Sequence, residues 1–247
     1  KPEIRFKPLS DAERLPEIQY AILENASRYV KDGGVLVYST CTLNKDENER
    51  VTDRLLEAHD AHPEYGILSP VQMTASMERP DPRFKVKCLD KELSAYESGR
   101  IYDVDFVMAA HWLVSRRCIL STGGFSPAFR HYGEDDNFIH RSLWKGFKIG
   151  FLAGAYAVHD RESRSTPKHA AMRLKCVASV VKLSNPSSCL PFRLVMQPLE
   201  LLAIAVRYMS SDVLKFIPSF VASCPKMVKL RRESLEEGAF LNVPNEN

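Results

Sequence analysis

The most constraining feature of this sequence is a strand pattern enclosed by two helical patterns near the amino terminus. Residues 11–31 place apolar side chains at helical spacing, and the pair Gly33 and Gly34 ends that helix. Residues 35–38 form a short β-rich run that is typical of a buried strand, and a helical pattern returns at residues 48–59. Helix, strand and helix in this order indicate a doubly wound α/β sheet.

The middle of the chain continues this alternation of strands and helices after a proline-rich stretch. Four prolines fall between His59 and Phe84, and we place a domain boundary near residue 60. Beyond the boundary the sequence predicts strands and one helix. The strands are expected at Gly66 to Leu68, within Arg100 to Ser115 and at residues 147–158, and the helix at residues 135–144.

Residues from about 168 onward follow a helical pattern. The apolar clusters Leu194 to Val206 and Val213 to Ala222 are predicted to break at Pro198 and Pro218. Neither cluster approaches the roughly 20 apolar residues that a bilayer crossing requires. Lysines and arginines flank both clusters, so we interpret the segment either as a helical cap on the domain or as a helix hairpin on a membrane surface.

Composition limits the classes of protein to which this chain can belong. Its 247 residues are 45% hydrophobic, which is enough to bury a core. The net charge of +3 arises from interspersed acidic and basic residues, so there is no strong nucleic-acid footprint. Six cysteines lack any C-x-x-C pair or zinc-ligand spacing, and no signal-peptide pattern is visible, which predicts reduced thiols and a cytoplasmic location. The sequence opens on Lys1 without a methionine, which is compatible with a fragment.

A single cysteine follows the amino-terminal strand pattern directly. Cys41 stands three residues after Tyr38, and open α/β sheets form their ligand crevice at the carboxyl ends of strands. The position therefore suits a catalytic thiol. A lone cysteine is more often a small buried hydrophobic residue, so the residue alone leaves both interpretations open.

The segments "KPEIRFK" and "QYAILENASRYVKDGGVLVYSTCTLNKDENERV" resemble the carboxyl-terminal part of the catalytic domain in RNA cytosine-5 methyltransferases of the RsmB/Nop type. The resemblance covers residues 1–58. It implies that Cys41 is the nucleophile that attacks C6 of cytosine, that S-adenosylmethionine is the methyl donor and that RNA is the substrate. The residues that match the surrounding motif are Ser39, Thr40, Asn44 and residues 47–49.

Three elements of that family's catalytic domain precede the matched segment and are not found in this sequence. They are the glycine-rich cofactor loop, the acidic residue for the cofactor ribose and the Pro-Cys motif that helps to release product. The resemblance therefore predicts that Cys41 is a relic of a site in this chain, and that methyltransferase activity needs a longer parent chain.

Three consecutive carboxylates, Glu134, Asp135 and Asp136, open the predicted helix in the middle of the chain. Carboxylates at a helix start are ordinarily capping residues, and three in a row are usually solvated. The order of the surrounding segments favours another interpretation. "YGILSP", "YDVDFVMAAHWLVSRRCI", "GGFSPAFRHYGEDDNFIHR", "GFKIG" and "VHDRESR" resemble the carboxyl-terminal half of family 2 glycosyltransferases of the rhamnosyltransferase-like GT-A kind, over residues 63–241.

This second resemblance implies inverting transfer from a nucleotide sugar to the hydroxyl of a glycan or lipid-linked acceptor in cell-surface glycan synthesis. It makes Asp135 the general base and Glu134 the residue that orients the acceptor or the base. It places His159 near a diphosphate-bound Mg²⁺ or Mn²⁺ ion, with a structural histidine as a close alternative. The nucleotide-binding half and its Asp-x-Asp motif are not found before "YGILSP". Substrate or donor contacts are implied for Asp136, Arg141, His131 and Trp112.

Together the two resemblances predict an α/β chain of partial Rossmann-like units: a methyltransferase-like helix–strand–helix fragment, a glycosyltransferase-like half and a helical carboxyl-terminal region. The predicted domains are residues 1–60, 61–167 and 168–247. Coverage favours an incomplete glycosyltransferase as the first function. An rRNA cytosine-5 methyltransferase is the second. A catalytically silent chimera is the third, in which the strand at residues 35–38 extends the sheet of the second piece.

Overall fold

A four-stranded mixed sheet organises the first part of the described chain. The computed structural model describes residues 45–129, 132–159 and 168–241. The strands are β1 Tyr65–Met73, β2 Ile101–Asp103, β3 Leu113–Val114 and β4 Lys148–Val158. Their order in the sheet is β2–β4–β1–β3, with β1 and β4 as parallel neighbours in the centre and the two edge strands antiparallel to them.

Strand β1 is longer than the three-residue strand predicted from the sequence. All nine of its residues are buried. The prediction stopped short because Ser69, Pro70 and Gln72 interrupt the apolar run. The structure accommodates these residues. The β1–β4 register shifts after Pro70, which has no N–H to donate, and the Gln72 amide donates to the Met108 carbonyl at 2.8 Å. Its partner β4 confirms the strand predicted at residues 147–158.

The segment from Arg100 to Ser115 forms two short strands, where we predicted a single one. β2 pairs with β4, and β3 pairs with β1, so the two strands lie on opposite edges of the sheet. The chain between them has to cross from one edge to the other and cannot remain extended in one register. On the way it buries Val107 and Met108 in the core.

Helices pack around this sheet. Helix α1, Lys45–Ala61, contacts β1, β3 and β4 and confirms the helical pattern at residues 48–59. Its Leu55 is buried, and its Arg54 guanidinium donates to the Gly154 carbonyl at 2.6 Å. This packing connects the chain on both sides of residue 60, and the division into domains stays a prediction. The other helices around the sheet are α2 Pro82–Cys88, α3 Arg116–Thr122 and α4 Glu134–Trp144.

Three long helices form the carboxyl-terminal region: α5 Lys168–Ser184, α6 Leu190–Arg207 and α7 Ser211–Glu233. α6 and α7 run through Pro198 and Pro218, so the predicted breaks are wrong. An interior proline costs a helix about 3 kcal/mol because it removes a backbone hydrogen bond. These helices bury an apolar core of their own that includes Leu201, Val213 and Phe220. Burial of each such side chain contributes about 1.5–3 kcal/mol, which offsets the cost.

The helical region contacts the sheet region through α4. Gly133, which precedes α4, lies so close to α5 that an added Cβ would come within 2.8 Å of the Val177 and Val181 side chains. The Asn137 side chain donates to the Ser184 hydroxyl at 3.1 Å. The predicted α/β class with a helical carboxyl-terminal region is confirmed. Among the described helices, none combines the length and the apolar character that a bilayer crossing needs.

Candidate functional site

The three consecutive carboxylates lie in the first turn of α4, and each is half-buried. Gly133 precedes them in the left-handed conformation, at φ 87°, which glycine adopts without strain. The Asp135 carboxylate accepts a hydrogen bond from the Asp136 backbone N–H at 2.9 Å. The N-cap is Gly133 and no side chain caps the helix, but the unpaired N–H groups of a first turn favour negative charge, so carboxylates are stabilised at these positions. One Glu134 oxygen is buried without a hydrogen-bond partner among the described residues.

The Asp136 carboxyl group has a raised pKa. Burial and then the charge of Asp135 raise the pKa of Asp136 to about 6. The cations Lys87 and Arg83 of α2 oppose that change. A carboxyl group with such a pKa exchanges its proton close to neutral pH, which is the property that acid–base catalysis requires. Structural carboxyl clusters produce the same property, so it does not by itself define a reaction.

Arg141 has a structural role, because its side chain bonds to protein oxygens in the interior. Its side chain is completely buried. Its guanidinium donates to the Asn137 side-chain oxygen at 3.0 Å, to the Thr122 carbonyl at 2.7 Å and to the Gly124 carbonyl at 2.5 Å. Burial lowers the pKa of Arg141 to about 10, so the group remains cationic at neutral pH. A buried guanidinium with these partners cannot bind a donor phosphate, which corrects the contact implied for it by the sequence.

A histidine pair lies beside Gln72, and no sequence pattern pointed to it as a pair. His159 Nδ1 lies 3.0 Å from Gln72 Oε1, and the rings of His111 and His159 meet edge to face with centroids 6.1 Å apart. Burial and then the charge of His159 lower the pKa of His111 to about 4, so His111 is neutral at neutral pH. Within the described ranges, no group of three or more His, Cys, Asp or Glu side chains is arranged to hold a metal. The metal role implied for His159 therefore has no support.

Of the remaining predicted site residues, Trp112 alone lies within the described part of the chain. Trp112 is half-buried in the core beside α4, where its indole N–H donates to the Val107 carbonyl at 3.2 Å and its ring centroid lies 5.9 Å from that of Phe138. Cys41 and His131 lie outside the described residues. The structure thus brings Trp112 close to the helix that carries the carboxylates. The role of Cys41 is argued from the sequence.

The described cysteines are all free thiols, as expected. Cys88 and Cys118 are buried, and burial raises the pKa of both, that of Cys88 to about 12. A thiol with a raised pKa is a poor nucleophile at neutral pH. Cys189 is exposed. Cys88 and Cys118 therefore contribute to packing.

Comparison with known proteins shows that the amino-terminal part of the chain is similar to rRNA methyltransferases. The model of the family "16S rRNA methyltransferase RsmB/F" matches residues 1–85. A probable ribosomal RNA small subunit methyltransferase B of Bacillus subtilis is 41% identical over 69 residues, which are 27% of this chain and 15% of that protein. Ribosomal RNA small subunit methyltransferase B of Thermus thermophilus is 41% identical over 59 residues, which are 24% of this chain and 15% of that protein. Ribosomal RNA small subunit methyltransferase F of Aeromonas salmonicida is 45% identical over 54 residues, which are 22% of this chain and 11% of that protein.

The chain thus covers 15% or less of the length of these three relatives. No solved structure matches the chain.

These matches overturn the glycosyltransferase prediction. The three relatives described above are named as rRNA methyltransferases. The family match continues to residue 85, through the segment "YGILSP" that opened the glycosyltransferase resemblance. The roles implied there for Glu134, Asp135 and Asp136, for a nucleotide sugar, for a glycan acceptor and for a divalent metal lose their basis. The resemblance of residues 1–58 to methyltransferases of the RsmB/Nop type is confirmed, and the amino-terminal third of the chain is similar to the 16S rRNA methyltransferases RsmB/F.

Proposed function

We propose that this chain is part of an rRNA cytosine-5 methyltransferase in which Cys41 is the nucleophile. The observation that carries the proposal is the family match over residues 1–85, which includes the Thr-Cys motif at residues 40–41. The names of the three relatives support ribosomal RNA as the partner, and on this proposal the protein acts in the cytoplasm. Because the chain covers a small part of these relatives, the activity belongs to a longer protein that contains this segment. Cys41 is then a working residue and not a relic.

The proposed chemistry uses Cys41 as a covalent catalyst. Its thiolate adds to C6 of the cytosine ring, and the electron pair of the C5–C6 double bond makes C5 nucleophilic. S-adenosylmethionine is the methyl donor that the family resemblance implies for C5. Loss of the C5 proton then expels the Cys41 thiolate and restores the ring. A thiol suits both steps, because a thiolate is a strong nucleophile and also an effective leaving group.

The described structure begins four residues after Cys41, where helix α1 starts. The helix is fixed at its carboxyl-terminal end: Leu55 is buried, Arg54 donates to the Gly154 carbonyl, and His59 Nε2 lies 3.0 Å from the Tyr65 carbonyl oxygen. A site next to a rigid element keeps its geometry better than one on a free loop. The segment that precedes α1 is thus followed by an anchored helix.

The described residues do not form a site that fits S-adenosylmethionine. Rossmann-type folds hold such a cofactor on a glycine-rich turn at the carboxyl end of a strand, and the turn after β1, residues 74–79, contains no glycine. A cavity of about 430 Å³ is lined by His62 and Tyr65, at the amino end of β1. No step of the proposed chemistry therefore runs through a described residue.

Trapping of the covalent adduct tests Cys41 as the nucleophile. RNA that contains 5-azacytosine carries nitrogen in place of C5, so an adduct that has been methylated at this nitrogen has no proton at position 5 whose loss would expel the thiolate. We expect the longer protein that contains this segment, supplied with S-adenosylmethionine and a small-subunit rRNA fragment with this base, to form a species that survives denaturing electrophoresis. Cys41→Ser should abolish that species.

Cys189→Ser is the matched control, because Cys189 is exposed and lies outside the family match. It should form as much adduct as the unsubstituted longer protein. An adduct that persists in Cys41→Ser, or no adduct from the unsubstituted longer protein at saturating RNA, contradicts the proposal.

A further inference from the structure

Helix α6 exposes a continuous line of apolar side chains. Their spacing of three and four residues places them on one face of the helix. Each is between 45% and 66% exposed, whereas an ordinary apolar helix face is buried. We call this line the α6 stripe; it consists of Phe192, Val195, Leu199, Leu202 and Val206.

The α6 stripe is not the face through which α6 joins its own domain. The opposite side of the helix carries Gln197, Leu201 and Ala205, all of which are buried. Leu201 and Ala205 belong to the core that α6 shares with α5 and α7. The helix therefore has apolar side chains on two sides, and among the described residues one of these sides packs within the fold. A contiguous apolar surface of this kind marks a site of interaction.

Basic residues greatly outnumber acidic residues in the three carboxyl-terminal helices. α5, α6 and α7 together hold eleven of the 34 lysines and arginines of the chain but three of its 31 aspartates and glutamates. Glu200, the acidic residue of α6, accepts a hydrogen bond from Lys182 at 2.6 Å. Where the structure describes side-chain burial in these helices, seven basic side chains are exposed: Arg173, Lys182, Arg207, Lys215, Lys226, Lys229 and Arg232.

The apolar line of α6 and the excess of cations on α5, α6 and α7 together decide between the surfaces that could cover the stripe. A second copy of the chain would bring two cation-rich helical regions together, which is repulsive. RNA would satisfy the cations through its phosphates but would leave the aliphatic side chains without apolar contact. An anionic bilayer satisfies both, because its headgroups attract lysine and arginine and its acyl boundary accepts apolar side chains.

We propose that α6 lies flat on an anionic lipid surface, with the α6 stripe in the acyl boundary. From Phe192 to Val206 the helix rises about 21 Å, at 1.5 Å per residue, so the stripe can contact the bilayer along most of α6. Arg207 is exposed and follows Val206 directly, at the end of the stripe. Its long side chain can reach the headgroups while its aliphatic stem stays in the apolar layer.

Vesicle flotation with the full chain tests this contact. We expect the protein to float with vesicles of phosphatidylglycerol and phosphatidylcholine, and to remain unbound with phosphatidylcholine alone. The double variant Leu199→Glu/Leu202→Glu should reduce the partition coefficient by at least about tenfold, because it removes two apolar side chains and adds two anions. Val86→Glu is the matched control: Val86 is 82% exposed on α2, and its replacement should leave flotation unchanged.

Several results would overturn the contact. One is absence of flotation with anionic vesicles; another is equal flotation of the double variant and the control. Displacement of the protein from vesicles by RNA, without any effect of the double variant, would assign the cations to nucleic acid. A dimer in light scattering that the double variant converts to monomer would assign the stripe to a second copy. Cys41→Ser should leave flotation unchanged, which separates this proposal from the methyltransferase proposal.

Discussion

The buried polar side chains of the sheet region and the exposed apolar line of the helical region depart from the usual pattern of burial in opposite ways. In the sheet region Arg141 and Gln72 are completely buried, and both donate hydrogen bonds to backbone carbonyls. In the helical region the α6 stripe stands in solvent. Buried polar groups with partners fix one packing arrangement, whereas an apolar face in water is removed from water only by a partner. The unusual residues of the first region thus serve the fold, and on our proposal those of the second serve an interaction.

The largest expected effect separates two arginines, one from each region. Arg141→Met should lower the free energy of unfolding by about 3–5 kcal/mol, because the Thr122 and Gly124 carbonyls lose their buried donor. Arg207→Met removes an exposed cation and should change it by less than about 0.5 kcal/mol. Urea denaturation of the two variants measures both values. A loss below about 1 kcal/mol for Arg141→Met would mean that this cluster is not a structural centre.

The next effect compares two leucines of the same helix. Leu201 is completely buried, and Leu199 is 53% exposed. Leu201→Ala should cost about 2–5 kcal/mol, since it leaves a cavity in the helical core. Leu199→Ala should cost less than about 0.5 kcal/mol. Thermal unfolding in the absence of lipid gives both values. Equal losses would break the comparison between the regions, because they would show that the α6 stripe is packed in solution.

A third pair of variants tests the contact between the two regions. Gly133 and Gly146 both have φ of 87°, so alanine at either position costs about 1–2 kcal/mol in backbone strain. A Cβ at Gly146 meets nothing within 4 Å, whereas at Gly133 it meets Val177 and Val181 of α5 at 2.8 Å. Gly133→Ala should therefore be more destabilising than Gly146→Ala by about 1–3 kcal/mol. Calorimetry provides the measurement, and equal melting temperatures would show that α5 yields without cost.

Local patterns predicted much of the secondary structure. The helix predicted at residues 135–144 and the strand at 147–158 are each within one residue of α4 and β4. The wrong predictions concern elements whose structure depends on residues far away in the sequence. The segment from Arg100 to Ser115 forms two strands because they pair at opposite edges of the sheet. Helix α6 continues past Pro198 because it is buried in a core that three helices share. Apolar periodicity is a local property, and neither edge pairing nor shared burial can be read from it.

The same limit applies to the candidate site. The carboxylates of α4 were visible because they are consecutive in sequence. The contact of Gln72 with His159 joins residues 87 positions apart, and no spacing rule predicts it. The burial of Arg141 was equally hidden, because its partners are backbone carbonyls, which every residue carries. The motif at Cys41 was recognisable from its residues, and the family match supports that part of the sequence interpretation.

The smallest expected effect concerns Asp136, a polar group of the sheet region whose burial is not fully compensated. Its pKa is raised to about 6 by burial and the charge of Asp135. The folded state therefore binds this proton more tightly than the unfolded state. The resulting stability is complete below the usual carboxyl range, near pH 4, and is lost as the pH rises through about 6.

Asp136→Asn stays neutral at every pH and should not show this loss. Relative to the unsubstituted chain it should gain about 1 kcal/mol between pH 4 and pH 7, a value reduced by solvent around the half-buried carboxyl. Melting temperatures of both proteins across this range give the difference. Parallel curves of melting temperature against pH would mean that the charge of Asp136 is compensated by its surroundings. Asp136 would then resemble the buried Arg141, whose charge is compensated by hydrogen bonds. Curves that diverge as the pH rises would single out the first turn of α4 as the place where the sheet region retains an uncompensated charge.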